Sequence, residues 1–467
     1  QLREIGKAES AHCIEDPELL EWVTFLTEYP VSVVGTFSDE YLELPRELLI
    51  STMKKQQRYF SLENSGGRLL SRFVGVSNIH AENLDLIRNG YERVLKARLA
   101  DAKFFFDEDR KEPLDSFLEG LKGVVFQKGL GTVFDKTQRI EKLAEIIIQS
   151  TCPEEKSTAV RAAQLCKADL VTQMVYEFPE LQGIMGREYA LAGGESKETA
   201  TAIEEHFLPR FSGDGVPTTQ SGAAVALADK LDNLVAFFGL GQVPTGTEDP
   251  FALRRQAIGI ILIILDKEYH LSLRDLFRFA YGLFSNPLKQ NEADCILQLI
   301  EFFKSRYRVL LSDRGYPYDV IEAVIEQKFD DPVDALERIK AVNEWKKQPF
   351  FEPIVISFKR ISNIIKGHQP KNVDPNQFID DAERNLYNEF ENLKTSVLPL
   401  FDRKEYLQAL ERIATVRHSV DTFFDEVMVM VEDEKVQNNR LNLLSEVASF
   451  YRKIADFSRI VVKKSEE

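Results

Sequence analysis

The residue with the sharpest chemical demand lies in Ala226–Leu234, which reads Ala-Leu-Ala-Asp-Lys-Leu-Asp-Asn-Leu. Leu227, Leu231 and Leu234 mark one face of a helix, and Asp229 stands among them as a carboxylate that needs a metal ion or a counter-charge. Other chemistries find no footing in the motifs. There is no Gly-x-x-x-x-Gly-Lys phosphate loop, no Gly-x-Gly-x-x-Gly, no His-Glu-x-x-His and no Gly-x-Ser-x-Gly. Six histidines spread from His12 to His418 give no local clue to a triad. Cysteines 13, 152, 166 and 295 are too scattered for a Cys-x-x-Cys metal site and too few for a disulfide framework, which fits a reducing cytoplasm.

The region 135–238 resembles the helical HD phosphohydrolase fold, whose metal site uses an early His, an adjacent His-Asp pair and a late Asp. Ala226–Leu234 resembles the late-Asp helix, with Asp229 at the ligand position, and Ala162-Ala163-Gln164-Leu165 resembles the lead into the His-Asp pair. Cys166-Lys167 stands where that pair would follow, and no histidine lies between His80 and His206. A protonated lysine repels a metal ion. The site is therefore expected to hold no metal, with Lys167 replacing its charge and pairing with Asp229. A metal phosphohydrolase acting on a nucleotide or RNA is the competing reading.

The elements that must position these residues follow from size and periodicity. A chain of 467 residues with 44% hydrophobic residues predicts two to four globular domains. The longest apolar run, Ile258 to Leu265, is too short to span a bilayer, so no membrane association is expected. The chain starts with Gln and no signal peptide follows, which predicts a piece of a larger polypeptide. A net charge of −16 argues against indiscriminate coating of nucleic acid. Trp345 to Lys371 nevertheless has six Lys or Arg against one acid, Glu352, which is either an RNA-facing surface or a solvated helix face.

Val31 to Phe37, Arg58 to Leu62 and Arg72 to Val76 read as strands, with helices at Pro17 to Thr27 and Pro45 to Lys55. Beyond Asn78 the helical period takes over, with Tyr91, Val94, Leu95, Leu99 and Ala102 on one stripe and Phe104, Phe105 and Phe106 at the helix end as a core junction. Further helices are predicted at 135–149, 157–177, 196–206, 221–238 and 250–265, the last started by Asp249 and Pro250. That start sets Arg254 and Arg255 against the helix dipole, facing either an acidic partner or a phosphate. Helical stretches at 271–314, 318–328 and 331–345 precede a break at 346–353, then 354–366, 377–398, 404–430 and 438–457 form a bundle.

Several long stretches together resemble the β subunit of the bacterial tetrameric glycyl-tRNA synthetase. They include Asn89 to Ala102 running on to Phe106, Leu121 to Phe126, Lys167 to Val171, Glu177 to Gly183, Pro244 to Gly246 and Asp249 to Arg255. The resemblance implies a mainly α chain in this order: the end of an α+β domain akin to the B3/B4 module (1–85), a degenerate HD-like helical domain (86–265), a helical linker or body (266–345) and an anticodon-binding bundle (346–467). The bundle resembles that of arginyl-tRNA synthetase through Val420 to Val429 and Asn439-Arg440-Leu441. It further implies that this part binds glycine tRNA and lacks a catalytic site and a cofactor of its own. ATP with Mg and glycine would be used at the active site of the α subunit, separate or fused, in the cytoplasm. Charge and position then nominate Lys346, Lys347, Lys359, Arg360, Asn363 and Lys366, with Arg417 and Arg440, for the anticodon. Lys96, Arg98, Arg254 and Arg255 are nominated for the acceptor arm.

Overall fold

A computed structural model describes residues 1–9, 11–79, 83–285 and 288–462. The chain divides into two compact units, Gln1–Asp232 and Asn233–Glu467. The first opens on a four-stranded antiparallel sheet in the order His12–Cys13, Phe60–Glu63, Leu69–Ser77, Val31–Thr36. Leu19 and Val23 of the helix Pro17–Leu26 join Phe60, Leu62 and Val74 of the sheet in one core. Gly35 is cross-strand from Phe73, and a Cβ there would collide with the Phe73 ring. That space lets Phe73 stack on Tyr59 with centroids 4.6 Å apart. The helix expected at 45–55 is Arg46–Ser51, continued by a π turn at Thr52–Gln56.

Asn83 accepts hydrogen bonds from the Asp85 and Leu86 amides and starts the long helix Leu84–Asp109. Its buried stripe is Leu95, Leu99, Ala102 and Phe106, at spacings of four, three and four residues. Val94, placed on that stripe by the sequence, is instead 43% exposed. The expected core junction also narrows to one ring. The helix runs through all three phenylalanines to Asp109, so Phe106 stacks on Tyr189 at 5.7 Å while Phe104 stays 57% exposed. Buried Asp109 accepts from the amides of Gln173 and Met174 and from the Tyr189 hydroxyl.

The single helix expected at 157–177 is Lys156–Leu165, a 3-10 turn at Ala168–Val171 and a short helix Gln173–Glu177. The break has two causes, one local and one more distant. Thr172 caps the third piece by accepting from the Val175 amide, and Asp169 turns away to accept from the amides of Gly183 and Gly186. Burial pushes the Asp169 carboxyl up to about 6 against those two hydrogen bonds.

The second unit is built of helices. Leu253–Asp266, Leu273–Gly282, Glu292–Asp313, Tyr318–Ile325 and Pro332–Trp345 come first. The stretch predicted at 271–314 is thus two helices, and residues 286–287 between them lie outside the described residues. Asp249 does accept from the Leu253 and Arg254 amides, but Pro250 precedes the helix. Ala252, left-handed at φ 52°, separates them.

The C-terminal helices are Phe351–Ile364, Asp381–Asp402, Tyr406–Ile413, Arg417–Glu426 and Glu434–Arg452. Fully buried Trp345 packs its ring on Phe351 and Phe457 at 5.3 and 5.6 Å. Arg440, at 4% side-chain exposure, reaches Glu383 at 3.0 Å, Asp380 at 2.8 Å and the Met428 carbonyl oxygen at 2.7 Å. Burial alone would raise the Glu383 carboxyl, yet hydrogen bonds from Arg440 and from the Asp380 and Ile379 amides bring it below its ordinary value.

Arg440→Ala strands a fully buried carboxylate, so it should lower the stability of the C-terminal helices by ~3–5 kcal/mol at neutral pH. Urea denaturation followed by the fluorescence of nearby Trp345 reads this. A loss under ~1 kcal/mol would show that Glu383 does not depend on this partner.

Candidate functional site

The helix Gln220–Gly239 buries Asp229 and Asp232 one turn apart. Lys167 Nζ lies 3.0 Å from Asp229 Oδ2, and Lys136 Nζ lies 2.8 Å from Asp229 Oδ1. Asp232 takes Lys136 at 3.1 Å and Arg139 Nε at 2.6 Å. Lys136 and Arg139 reach inward because they share a stripe of the helix Val133–Thr151 with Ile140, Leu143 and Ile147. That helix is fixed at its start by a capping box of Thr132 and Asp135.

Lys167 also approaches His206 Nε2 at 2.8 Å. An ammonium only donates, so Nε2 accepts and the ring proton sits on Nδ1, against the Ile203 carbonyl oxygen. Burial, reinforced by Lys167, holds His206 well below its ordinary value, in the neutral form. Lys230 donates to the carbonyl oxygens of His206 and Leu208 at 3.2 and 2.7 Å, and burial pushes its ammonium down to about 7.

Burial raises the Asp229 carboxyl, but Lys136 and Lys167 more than offset this and hold it well below its usual range. The four basic side chains Lys136, Arg139, Lys167 and Lys230 outnumber the two carboxylates, so a divalent ion would meet repulsion. Among the described residues no group of three His, Cys, Asp or Glu side chains could hold a metal. The Cys166 thiol is pushed up to about 12 by burial and is no nucleophile at neutral pH. This donor set gives the HD phosphohydrolase reading no support. Sequence reasoning named Lys167 and Asp229 but missed Lys136, Arg139, His206 and Asp232. The readable signal was two cations on the apolar stripe of residues 133–151 and a second acid one turn after Asp229.

The residues nominated for RNA contact separate into two groups. Lys346 pairs with Asp319 at 2.7 Å, Lys347 with Glu344 at 2.6 Å, and Lys359 donates to the Ile460 carbonyl oxygen at 2.8 Å. Arg417 lies 3.2 Å from Asp421, and Arg440 is enclosed by its carboxylates, which leaves its guanidinium a structural role. Arg254 bonds the Gly246 carbonyl oxygen at 2.6 Å beside the Asp249 cap, a backbone acceptor in place of the acidic side chain or phosphate expected. Arg255 is exposed on the same turn. Arg360, Asn363 and Lys366 are exposed, and the Arg360 guanidinium lies 4.1 Å from the Phe424 ring centroid. Lys96 and Arg98 are exposed on the helix Leu84–Asp109, with Arg98 3.8 Å from Asp101.

Residues 354–460 match the DALR anticodon binding domain, so the C-terminal helices form an anticodon-binding domain of the kind found in aminoacyl-tRNA synthetases. Residues 1–326 match the glycyl-tRNA synthetase beta subunit family, and the chain belongs to that family. It is 46% identical over 460 residues to the glycine–tRNA ligase beta subunit of Geotalea daltonii, covering 98% of this chain and 67% of that one. The beta subunit of Trichlorobacter lovleyi is 46% identical over 456 residues, covering 98% of this chain and 66% of that one. That of Desulforamulus reducens is 43% identical over 467 residues, covering 99% and 67%. The chain thus spans about two thirds of the length of these relatives.

Asp229→Asn should lower stability by ~3–5 kcal/mol at neutral pH, because Lys136 and Lys167 lose their shared counter-charge. Lys167→Met should cost less, about 1–3 kcal/mol, since Lys136 still faces Asp229. The depressed Asp229 value means its contribution is complete above the ordinary carboxylate value of 3.8 and lost as pH falls toward the folded value. Asp229→Asn should therefore also flatten the acid limb of a stability–pH curve from urea titrations. Equal costs for the two variants would contradict the double pairing.

Proposed function

We propose that this chain is the tRNA-binding part of a glycyl-tRNA synthetase. Its C-terminal domain holds the anticodon of glycine tRNA, and its HD-like region serves the acceptor side. Glycine is attached at the active site of an α subunit, separate or fused, which uses ATP with Mg and glycine. The complex works in the cytoplasm. No described helix is long and apolar enough to cross a membrane.

The observation that carries this reading is the anticodon-binding domain match over a helix that keeps Arg360 and Asn363 exposed, with Lys366 exposed in the turn that follows it. Arg360 is held over the Phe424 ring. A guanidinium so placed offers both a positive charge and a planar face to an unstacked base. On the first unit, Lys96 and Arg98 give the helix Leu84–Asp109 an exposed basic turn that can follow a phosphate backbone.

Arg360→Glu should weaken binding of glycine tRNA by about tenfold or more and reduce the slope of log affinity against log salt by about 1. Filter binding across a salt series measures both, with a non-cognate tRNA as the specificity control. Unchanged affinity and slope would remove this face from the interface.

A further inference from the structure

The C-terminal helices enclose a cleft of about 590 Å3. It lies where the end of the helix Phe351–Ile364, the loop after it and the last turns of Glu434–Arg452 meet. Its composition departs from that of the chain. Asp and Glu number 75 against 59 Lys and Arg overall, yet none of the described residues lining this cleft is acidic. Lys366, His368, Arg452 and Lys453 all line it.

Most other cations in this part of the chain have internal partners. Lys394 pairs with Glu391 and Glu446, Arg417 with Asp421, and Arg440 with Asp380 and Glu383. Among the described residues, Lys366 and Arg452 make no hydrogen bond or ion pair. Lys453 is held over the rings of Phe401 and Phe450, 5.1 and 4.9 Å from their centroids. Lys366 and Arg452 do stand near helix C-termini, where a cation gains ~0.3–1 kcal/mol from the helix dipole. That gain leaves their N–H donors unused and the charges of three cations close together without a counter-ion. Ser362 adds a second signal. The residue lines the same cleft, and its Oγ is buried with no hydrogen-bond partner among the described residues, an arrangement that costs about 1–3 kcal/mol unless a ligand supplies one.

We propose that this cleft is a phosphate site that takes a phosphodiester of the bound RNA. Lys366 and Arg452 clamp its non-bridging oxygens, Lys453 supplies further positive charge, and the Ser362 hydroxyl donates to one oxygen. His368, held by Asn442 Oδ1 at 2.8 Å, closes one side. The site rests on the tRNA-binding reading above and deepens it. It adds contacts from the last helix to those of Phe351–Ile364, and it reads position along the backbone rather than base identity.

The test uses the full chain and glycine tRNA in filter binding over a salt series. Lys366→Gln with Arg452→Gln should weaken binding by about tenfold and lower the salt slope by about 1, while urea denaturation shows a loss no larger than the helix-dipole contribution of ~0.3–1 kcal/mol per residue, because neither side chain has another partner to lose. Arg412→Gln with Lys435→Gln, which removes two exposed charges elsewhere on the same domain, should change affinity less than threefold. Inorganic phosphate should compete with tRNA more weakly in the Lys366/Arg452 variant than in wild type. If wild type binds tRNA and this variant binds equally well, or the control pair loses as much, the phosphate site is overturned and the tRNA reading stands. If wild type shows no salt-dependent tRNA binding, the tRNA reading falls and the site with it.

Discussion

A carboxylate taken out of water must be neutralised, and the first unit is arranged around how Asp229 and Asp232 meet that demand. Together they draw in side chains from two segments: Lys136, which meets both, and Arg139 from one helix, and Lys167 from the break after another. A metal ion could have done the same with a compact charge and fixed ligands. Here the positive charge comes on flexible stems that need packing on every side, which is why the lysines lie against aromatic rings. Lys136 stands 4.8 Å from the Phe126 centroid and Lys167 4.4 Å from that of Phe207. The centre is consequently closed, with Lys136, Lys167, Asp229 and Asp232 all buried.

The same economy of charge governs the surface. A chain with net charge −16 that engages RNA must do so through local groups of cations rather than through its overall field. Internal carboxylates and carbonyl oxygens engage most of the cations that sequence position alone would nominate, among them Lys346, Lys359 and Arg440. What is left over is more informative than what is abundant. In the proposed function, Arg360 on Phe424 together with Lys366 and Arg452 gives register to a bound strand without making the domain adhere to any polyanion.

Much of this was legible in the sequence because periodicity and capping are local. The helices Val133–Thr151, Lys197–Glu205 and Pro332–Trp345 follow from apolar spacing and from Thr132, Ser196 and Asp331 at their starts. The misreadings share a physical origin. The helix expected at 157–177 breaks because Asp169 bonds amides 14 and 17 residues away, and the true helix start after Asp249 depends on one left-handed alanine. Of the charged centre, Lys167 and Asp229 could be named from a local motif. Lys136 lies 93 and 96 residues from the two acids it meets and Arg139 lies 93 from Asp232, and a cation reads as solvent-exposed until its partner is known.

That distance also bears on why so charged a centre persists in a core. A well-packed apolar substitute for a buried ion pair is often as stable or more so, so stability alone does not account for four basic groups and two acids in one core. An apolar core tolerates several side-chain arrangements, whereas these charges accept one. Moving Lys136 by one helical position would leave Asp229 and Asp232 with a single strong partner each, and placing Lys167 elsewhere would remove the donor that sets the His206 tautomer. The network therefore fixes the register of the helices Val133–Thr151 and Gln220–Gly239 against each other more sharply than leucine packing would. In the proposed function, a domain that positions RNA for an active site elsewhere needs that kind of geometric fidelity more than it needs extra stability.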